Sequence, residues 1–547
     1  MTVVTVTVKI EGQAAPQDWG LMSVDVRREL NRLPSARLVY IDGDVADGSF
    51  PISDTGRFKP GAAVEIVARY EGAEGPGAQD KVLFKGLVVR HGLEAGAHGS
   101  VLQVELRDKA VALTRPRRSL VSVDAKDSDV LAKLLRNAGL QAQVEATSVQ
   151  HPSLVQFDCT DWDWLVTRAE ACGQVVAVTD GVVKVATPAL SGPAALKVTW
   201  GTDVIDMDLS CDALGQDDGV DVSSWNAADL AVAAAQAVRP PAPAQGSLTG
   251  EKAAQALGFK KSTLVFPAGL QAGEAKAWAS AEAARSQWGL LRGQLRVQGV
   301  GAIGLLDVVQ IDGVAQAFAG QALVTGLCHR IAGGDWTTDL QCGLAAQPHH
   351  RRPDIASAPA AGLLPPASAL QIAVVEAVAE DPDKQHRIKV RLPVLGDGAE
   401  GLWARLATPE AGKGRGISFR PEPGDEVVLG FFNDDPRQPV VLGALFGSKN
   451  TPPDAVHDAT DKNTLRGLVT RSGLTLALDD DKKQLSLQMP SGAKLLMDDD
   501  GEAIVLSDKH GNKITLDKNG IALKSAKDLL LDASGNVTVK GAKIDLN

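Results

Sequence analysis

The feature that most constrains this chain is its last seventy-five residues. From Gly473 onward, apolar and polar residues alternate in runs of four to six. Turn signals punctuate the runs: Asp479-Asp-Asp-Lys482, Ser491-Gly492, Asp498-Asp-Asp-Gly501, His510-Gly-Asn512, Lys518-Asn-Gly520 and Ser534-Gly-Asn536. Such runs read as short strands with one apolar face. Leu474, Leu476 and Leu478 share a face, as do Leu485, Leu487 and Met489, and the pairs Ile514/Leu516, Ile521/Leu523 and Val537/Val539 repeat the pattern. The segment holds no aromatic residue and only one proline, Pro490. One narrow apolar face cannot offset backbone ordering at about 1–2 kcal/mol per residue. Stacked strand–turn units bury such a face as a solenoid. Where each unit is too short to enclose its own core, several chains can share one, each supplying a wall of a common prism. A three-walled prism needs three chains, and its strands are expected to pair across chains so that no open edge remains. The predicted shared core is Leu474, Leu476, Leu485, Leu487, Ile514, Leu516, Ile521, Leu523, Val537 and Val539.

The charges of the tail are balanced, with eleven Lys/Arg and twelve Asp/Glu from residue 471, and are expected opposite the apolar set. The acidic triplets at 479–481 and 498–500 lack the nine-residue glycine–aspartate period of calcium-binding solenoids and read as solvated turns. No metal, cofactor or catalytic site is predicted.

Upstream, 547 residues imply several domains. Scarce aromatics (4%) and 55 glycines favour turn-rich sheet architecture. A net charge of −11 argues against a nucleic-acid partner, which demands clustered Lys and Arg. Five scattered cysteines without a Cys-x-x-Cys read as reduced, buried thiols of a chain folded in the cytosol. The N-terminus reads as a strand (Val4, Val6, Val8 and Ile10 on one face) rather than a signal peptide, and no apolar run approaches a membrane span. Export is therefore expected to depend on a larger particle.

Alternating segments at 2–10, 62–70, 82–91 and 100–107 place a β domain at 1–120, with Glu71–Gln79 as an exposed loop. A helical and mixed insert follows at 121–190. Its helices are bracketed by Ser128 and Gly139, and by Thr160 and Gly173. Trp162 and Trp164 read as packing residues rather than a sugar platform. A second β domain with helices spans 191–347. Its Ala-rich 225–256 segment is expected to be helix then linker, broken at Arg239-Pro-Pro-Ala-Pro243. A helix is predicted at 273–288, and strands at 291–298, 305–312 and 321–331. Residues 348–369 read as a linker in which His349 and His350 are a solvated pair. Five short runs at 370–378, 386–394, 401–408, 425–432 and 438–446 suit a small closed barrel at 370–447, with Ile388, Val390 and Leu392 inward. A connector, 448–472, leads to the repetitive strand segment, 473–547.

The barrel carries a dense set of motifs. They are Asp381-Pro-Asp-Lys-Gln-His-Arg-Ile-Lys-Val-Arg-Leu-Pro-Val394, Trp403-Ala-Arg-Leu-Ala-Thr-Pro409, Ala411-Gly-Lys-Gly-Arg-Gly416, Pro421-Glu-Pro-Gly-Asp-Glu-Val-Val428 and Phe431-Phe-Asn-Asp-Asp-Pro-Arg-Gln-Pro-Val-Val-Leu-Gly443. Together these resemble the OB domain of VgrG-type spike proteins of contractile injection systems. The Gly139-Leu140 helix end, Val155-Gln156 and Thr160-Asp-Trp-Asp-Trp-Leu165 resemble the hub of phage late-control D proteins. The resemblance implies a mainly β fold: two hub β-barrel-like domains with helical insertions, an OB-fold collar and an intertwined trimeric C-terminal β-helix. It implies a homotrimer matching a three-fold spike to a six-fold tube. It further implies contact with a tube or tube-initiator protein at the hub, other baseplate components, and a PAAR-type tip protein at the C-terminal apex. Ile544, Asp545, Leu546 and Asn547 would make the tip contact, and effector cargo is compatible with this plan. The 25 residues between collar and needle are too few for the lysozyme domain of some phage relatives, no toxin follows the needle, and the His-x-His of iron-tipped spikes is missing. This lean form looks most like spikes of extracellular contractile injection systems, with type VI and phage systems left open.

The function implied is a non-enzymatic spike that connects tube to tip and pierces the target envelope on sheath contraction. It folds in the bacterial cytoplasm and belongs to a particle that can be released. The alternative readings are a phage baseplate spike that degrades cell wall and one that binds glycans. The first lacks Gly-x-Ser-x-Gly, His-Glu-x-x-His and Cys/His signatures. The second lacks aromatics in the needle on which sugars could stack.

Overall fold

The computed structural model describes residues 3–71, 79–97, 99–190, 192–239, 245–344, 347–396 and 398–546. The chain divides into two compact units, 1–357 and 358–547.

The first unit is organised by a thirteen-stranded sheet. The expected early strands are present as Val4–Ile10, Ala63–Tyr70, Lys81–Gly96 and Gly99–Arg107. Leu21–Glu29, Ser35–Ile41 and the short Gln13–Ala14 join them in the sheet. Period-two burial explains them: Val24 and Val26 point into the core while Ser23 and Asp25 do not. Leu21–Glu29 also pairs antiparallel with Gly320–Ala332, so strands from the first and second β regions form one continuous ladder. The first core accordingly gathers Tyr40, Phe58 and Phe84 with Ile331 and Trp336 from far along the chain. A second core forms around Leu295, Ile311, Val324 and Leu340.

Between these lies the insert, with helices α1 (Asp127–Asn137) and α2 (Asp161–Ala171) over a three-stranded sheet. The α2 start is as expected: the Thr160 hydroxyl accepts from the Asp163 backbone N–H at 3.1 Å. The α1 start differs. Ser128 lies inside the helix, and its backbone N–H donates to the Thr147 hydroxyl at 3.1 Å, so the cap comes from a distant loop. Trp162 and Trp164 are buried packing residues. A further helix, α3, spans Gly250–Ala256, and α4 covers Ala272–Trp288.

Three expectations are corrected here. The Ala-rich stretch does not open as a helix: Ala231–Gln236 is a strand that pairs antiparallel with Val220–Asn226, whose Val220 and Val222 pack against α4, and the helix of the stretch, α3, comes only at its end. Sheet pairing overrides the helix propensity of alanine there. His349 is not solvated: it is buried, its Nε2 is 2.9 Å from Asp163 Oδ1, and its backbone N–H donates to Glu170. Cys211 is exposed, unlike the buried Cys159 and Cys342, and all five thiols are free. The loop 72–78 and the prolines at 240–243 lie outside the described residues.

The second unit begins with a closed five-stranded barrel of Gln371–Ala377, Ile388–Arg391, Leu402–Leu406, Glu426–Phe431 and Pro439–Ala444. Ile388 and Val390 are fully buried with Ala373, Ala404, Val427, Leu429 and Val441. Asp381 organises the loop before the second strand. Its carboxylate accepts from the Arg387 guanidinium at 2.6 Å and from the backbone N–H groups of Gln385 and Arg387, which hold its pKa far below the ordinary range. Among the described residues no helix is long and apolar enough to cross a membrane.

Candidate functional site

The remaining part of the second unit is a seven-stranded antiparallel meander. Its strands are Leu465–Val469, Thr475–Asp479, Gln484–Gln488, Lys494–Asp498, Ala503–Ser507, Lys513–Asp517 and Gly520–Lys524. Each pairs with its neighbour in sequence, through hairpins closed by two to five residues. Within the chain the ladder is therefore sequential, and each inner strand is paired on both sides by strands of its own chain. Local turn chemistry explains it: Gly473, Gly492 and Gly511 have φ of 85°, 94° and 92°, and side chains such as Asp508 accept from the turn's own N–H groups.

The register places the predicted apolar residues together. Leu476 faces Leu487, Leu478 faces Leu485, Ile514 faces Leu523 and Leu516 faces Ile521. Directly paired residues lie on one face of a sheet, so eight of the ten predicted core residues, Leu474 to Leu523, fall on a single face. Four residues that sequence reasoning missed complete it: Leu495, Met497, Ile504 and Leu506, paired to Leu487, Leu485, Leu516 and Ile514. Their signal was a nineteen-residue repeat, visible in Leu476/Leu495/Ile514, Leu478/Met497/Leu516 and Asp479/Asp498/Asp517. No described residue of the chain covers this face. Leu516 is 40% exposed, Leu487 45% and Ile521 73%. A concave surface at its upper part is bounded by Phe419 from the collar together with Leu474, Leu487 and Leu506.

No strand is formed past Lys524 among the described residues. The alternation at Val537 and Val539 is not realised in the single chain, where both are more than half exposed, as are Leu529, Leu530 and Leu531. Ile544, Asp545 and Leu546 lie in the same strandless segment, and Asn547 is outside the described residues. Among the described residues, no group of three or more His, Cys, Asp or Glu is arranged to hold a metal.

A second polar feature sits in the first unit. Asp127 at the start of α1 accepts from Arg168 of α2 at 2.7 and 3.0 Å, lies 2.9 Å from His151 Nε2, and accepts from Cys172 at 3.4 Å. Burial would raise the Asp127 carboxyl, yet the Arg168 hydrogen bonds and the Arg168 and His151 charges hold it below its ordinary value. Burial and the Asp127 charge push the Cys172 thiol up to about 12, which leaves it protonated and unreactive. The cluster ties α1, α2 and the 150–160 strand together.

The family model of the Alg8 N-terminal domain matches residues 1–333. That of the type VI secretion system/phage-baseplate injector OB domain matches residues 371–446. Over 88 residues the chain is 34% identical to the type VI secretion system spike protein VgrG3 of Vibrio cholerae, covering 15% of this chain and 9% of that protein. It is 32% identical over 88 residues to the actin cross-linking toxin VgrG1 of the same species, covering 15% and 8%. The chain thus spans under a tenth of the length of these curated relatives. Among solved structures, the 43 kDa tail protein of prophage MuSo2 from Shewanella oneidensis aligns with a TM-score of 0.46 at 12% identity, over 62% of this chain and 98% of that one.

Proposed function

We propose that this chain, which belongs to the Alg8 N-terminal domain family and carries an injector OB domain behind it, is the homotrimeric central spike of a contractile injection system. The observation that carries this reading is the uncovered apolar face of the C-terminal sheet. Fully burying a leucine or isoleucine is worth roughly 1.5–3 kcal/mol, so covering the exposed half of such a face amounts to on the order of 10 kcal/mol per chain. Three copies turned about one axis would bury it as the inside of a prism, each chain supplying one wall. The injector OB domain at 371–446 supports the placement in an injection machine, and so does the 88-residue likeness to a type VI secretion system spike protein.

In this reading the first unit docks on a tube or tube-initiator protein and the surrounding baseplate. The collar sets the start of the needle, and the needle crosses the target envelope when the sheath contracts. The role is mechanical rather than enzymatic. Ile544–Asn547 forms the apex that receives a tip protein of PAAR type, and the assembled particle carries the chain out of the cell. Light scattering of the purified full chain at micromolar concentration should give the mass of three chains. A mass of one chain would overturn the proposal.

A further inference from the structure

The charges of the needle are sorted by edge. Because the meander runs back and forth, its turns fall alternately on two lateral edges. The turns 479–483, 498–502 and 517–520 share one edge and carry eight carboxylates against three lysines. The opposite edge, at 470–474, 488–494, 507–513 and 524–527, carries six Lys/Arg against one carboxylate. Some acidic residues are neutralised within the chain, Asp479 by Lys482 and Asp500 by Lys483. Among the described residues, however, Lys494, Lys509, Lys513 and Lys524 have no ion pair, and neither do Asp498, Asp499, Glu502 and Asp517. The two edges are therefore complementary, and each is largely unmatched in its own chain.

We infer that the acidic edge of one needle wall docks on the basic edge of a second copy, and that this head-to-tail contact closes the prism; the inference rests on the trimer reading above. A ring of three requires two different surfaces that fit each other, since the same rotation must carry one onto the other at every junction. The two edges meet that requirement. Like edges would repel, so walls cannot join face to face in the wrong sense or close as a two-fold pair. The strands themselves carry the code. Lys494–Asp498 and Lys513–Asp517 each begin with lysine and end with aspartate. Rotation about a three-fold axis carries no rise, so where strands lie across the axis, the two ends of the same strand face each other at the junction. Lys494 then meets the Asp498 level of the next copy, and Lys513 meets Asp517.

Zero-length carbodiimide coupling of mixed isotopically light and heavy full-length chains tests this. Within one chain the two ends of a five-residue strand are about 13 Å apart, beyond such a bond. Lys494–Asp498 and Lys513–Asp517 cross-links should therefore appear as mixed light–heavy pairs. The acidic-edge variant Asp481→Lys/Asp499→Lys/Glu502→Lys alters side chains that make no hydrogen bond within the chain. At ~50 mM salt it should raise the trimer dissociation midpoint at least about tenfold, with the gap shrinking at ~500 mM. Adding Lys494→Glu, Lys509→Glu and Lys513→Glu reverses the other edge and should restore trimers that do not exchange with the wild type. If the wild type is a trimer, cross-links at these pairs are missing and the acidic-edge variant assembles like the wild type, edge pairing is overturned while the trimer stands. A monomeric wild type overturns the trimer itself.

Discussion

Asp127 shows how a single residue can hold an irregular region in place. Three elements meet at its carboxylate, through Arg168, His151 and Cys172, while the side chain itself is almost wholly buried. Breaking a buried, hydrogen-bonded pair leaves its partner uncompensated, so Asp127→Asn should cost about 3–5 kcal/mol, read as a lower denaturation midpoint of the first unit. The pH dependence has a defined sign. The folded-state pKa of Asp127 lies below its unfolded value, so its contribution is complete above the ordinary carboxylate range. It is lost as pH falls from about 4 through the depressed folded value. Between neutral pH and pH 3, the wild type should therefore lose more stability than Asp127→Asn, as measured by acid titration of the near-UV signal. None of this network was visible in the sequence, because Asp127, His151 and Cys172 show no motif spacing, and only tertiary packing brings them together. The same holds for His349, whose partner Asp163 lies nearly two hundred residues earlier.

At the scale of elements, legibility follows periodicity. The barrel strands were readable because inward residues such as Ile388 and Val390 alternate with charged ones that stay near solvent. The needle strands were readable for the same reason, with their pairing partners supplied by short turns. Ala231–Gln236 failed because alanine favours helix locally, while its strand state is set by pairing with the neighbouring Val220–Asn226. Two turn glycines allow a test of the hairpin logic. Gly492 and Gly511 have φ near 90°, and a methyl group there would meet only ordinary contacts at 3.5 and 3.7 Å. The cost of Gly492→Ala or Gly511→Ala is therefore conformational, about 1–2 kcal/mol each, and should lower the needle's thermal midpoint without changing its mass. Leu516→Asp is a different kind of change. Its partner Ile521 and its neighbour Ile504 keep the register, so the strand can still form in one chain. Three copies would bring three carboxylates to one level of the shared interior, where burial of unpaired charge is prohibitive. The variant should run as a monomer in gel filtration, and a normal trimer would mean that this face is not the interior.

For the whole molecule, the segment past Lys524 is where one chain stops being a sufficient unit. Leu529 and Leu531, Val537 and Val539, and Ile544 and Leu546 keep the two-residue alternation of the preceding strands, separated by Ser534-Gly-Asn536 and Gly541. The pattern continues, yet the single chain forms no strand there and leaves Leu530 84% and Leu546 92% exposed. The physical difference lies in what stands beneath. Each earlier strand adds to a sheet anchored on the collar side, where Arg471 pairs with Glu422 and Phe419 borders the apolar face. The terminal strands have one such neighbour at most, and two-stranded ribbons without a packed face are marginal in water. In the proposed trimer three chains would remove that deficit together, because each terminal strand would gain an apolar interior shared with two others. Order past Lys524 should therefore depend on assembly rather than on sequence. Hydrogen exchange should find amides 528–546 protected in the trimer and open in the Leu516→Asp monomer, while the barrel amides of 371–444 exchange alike in both. Deleting Ile544–Asn547 should leave the trimer mass unchanged and abolish binding of a PAAR-type tip protein in a pull-down. A deletion variant that still captures the tip would place the contact elsewhere, and equal protection of 528–546 in monomer and trimer would show that these strands fold without the shared core.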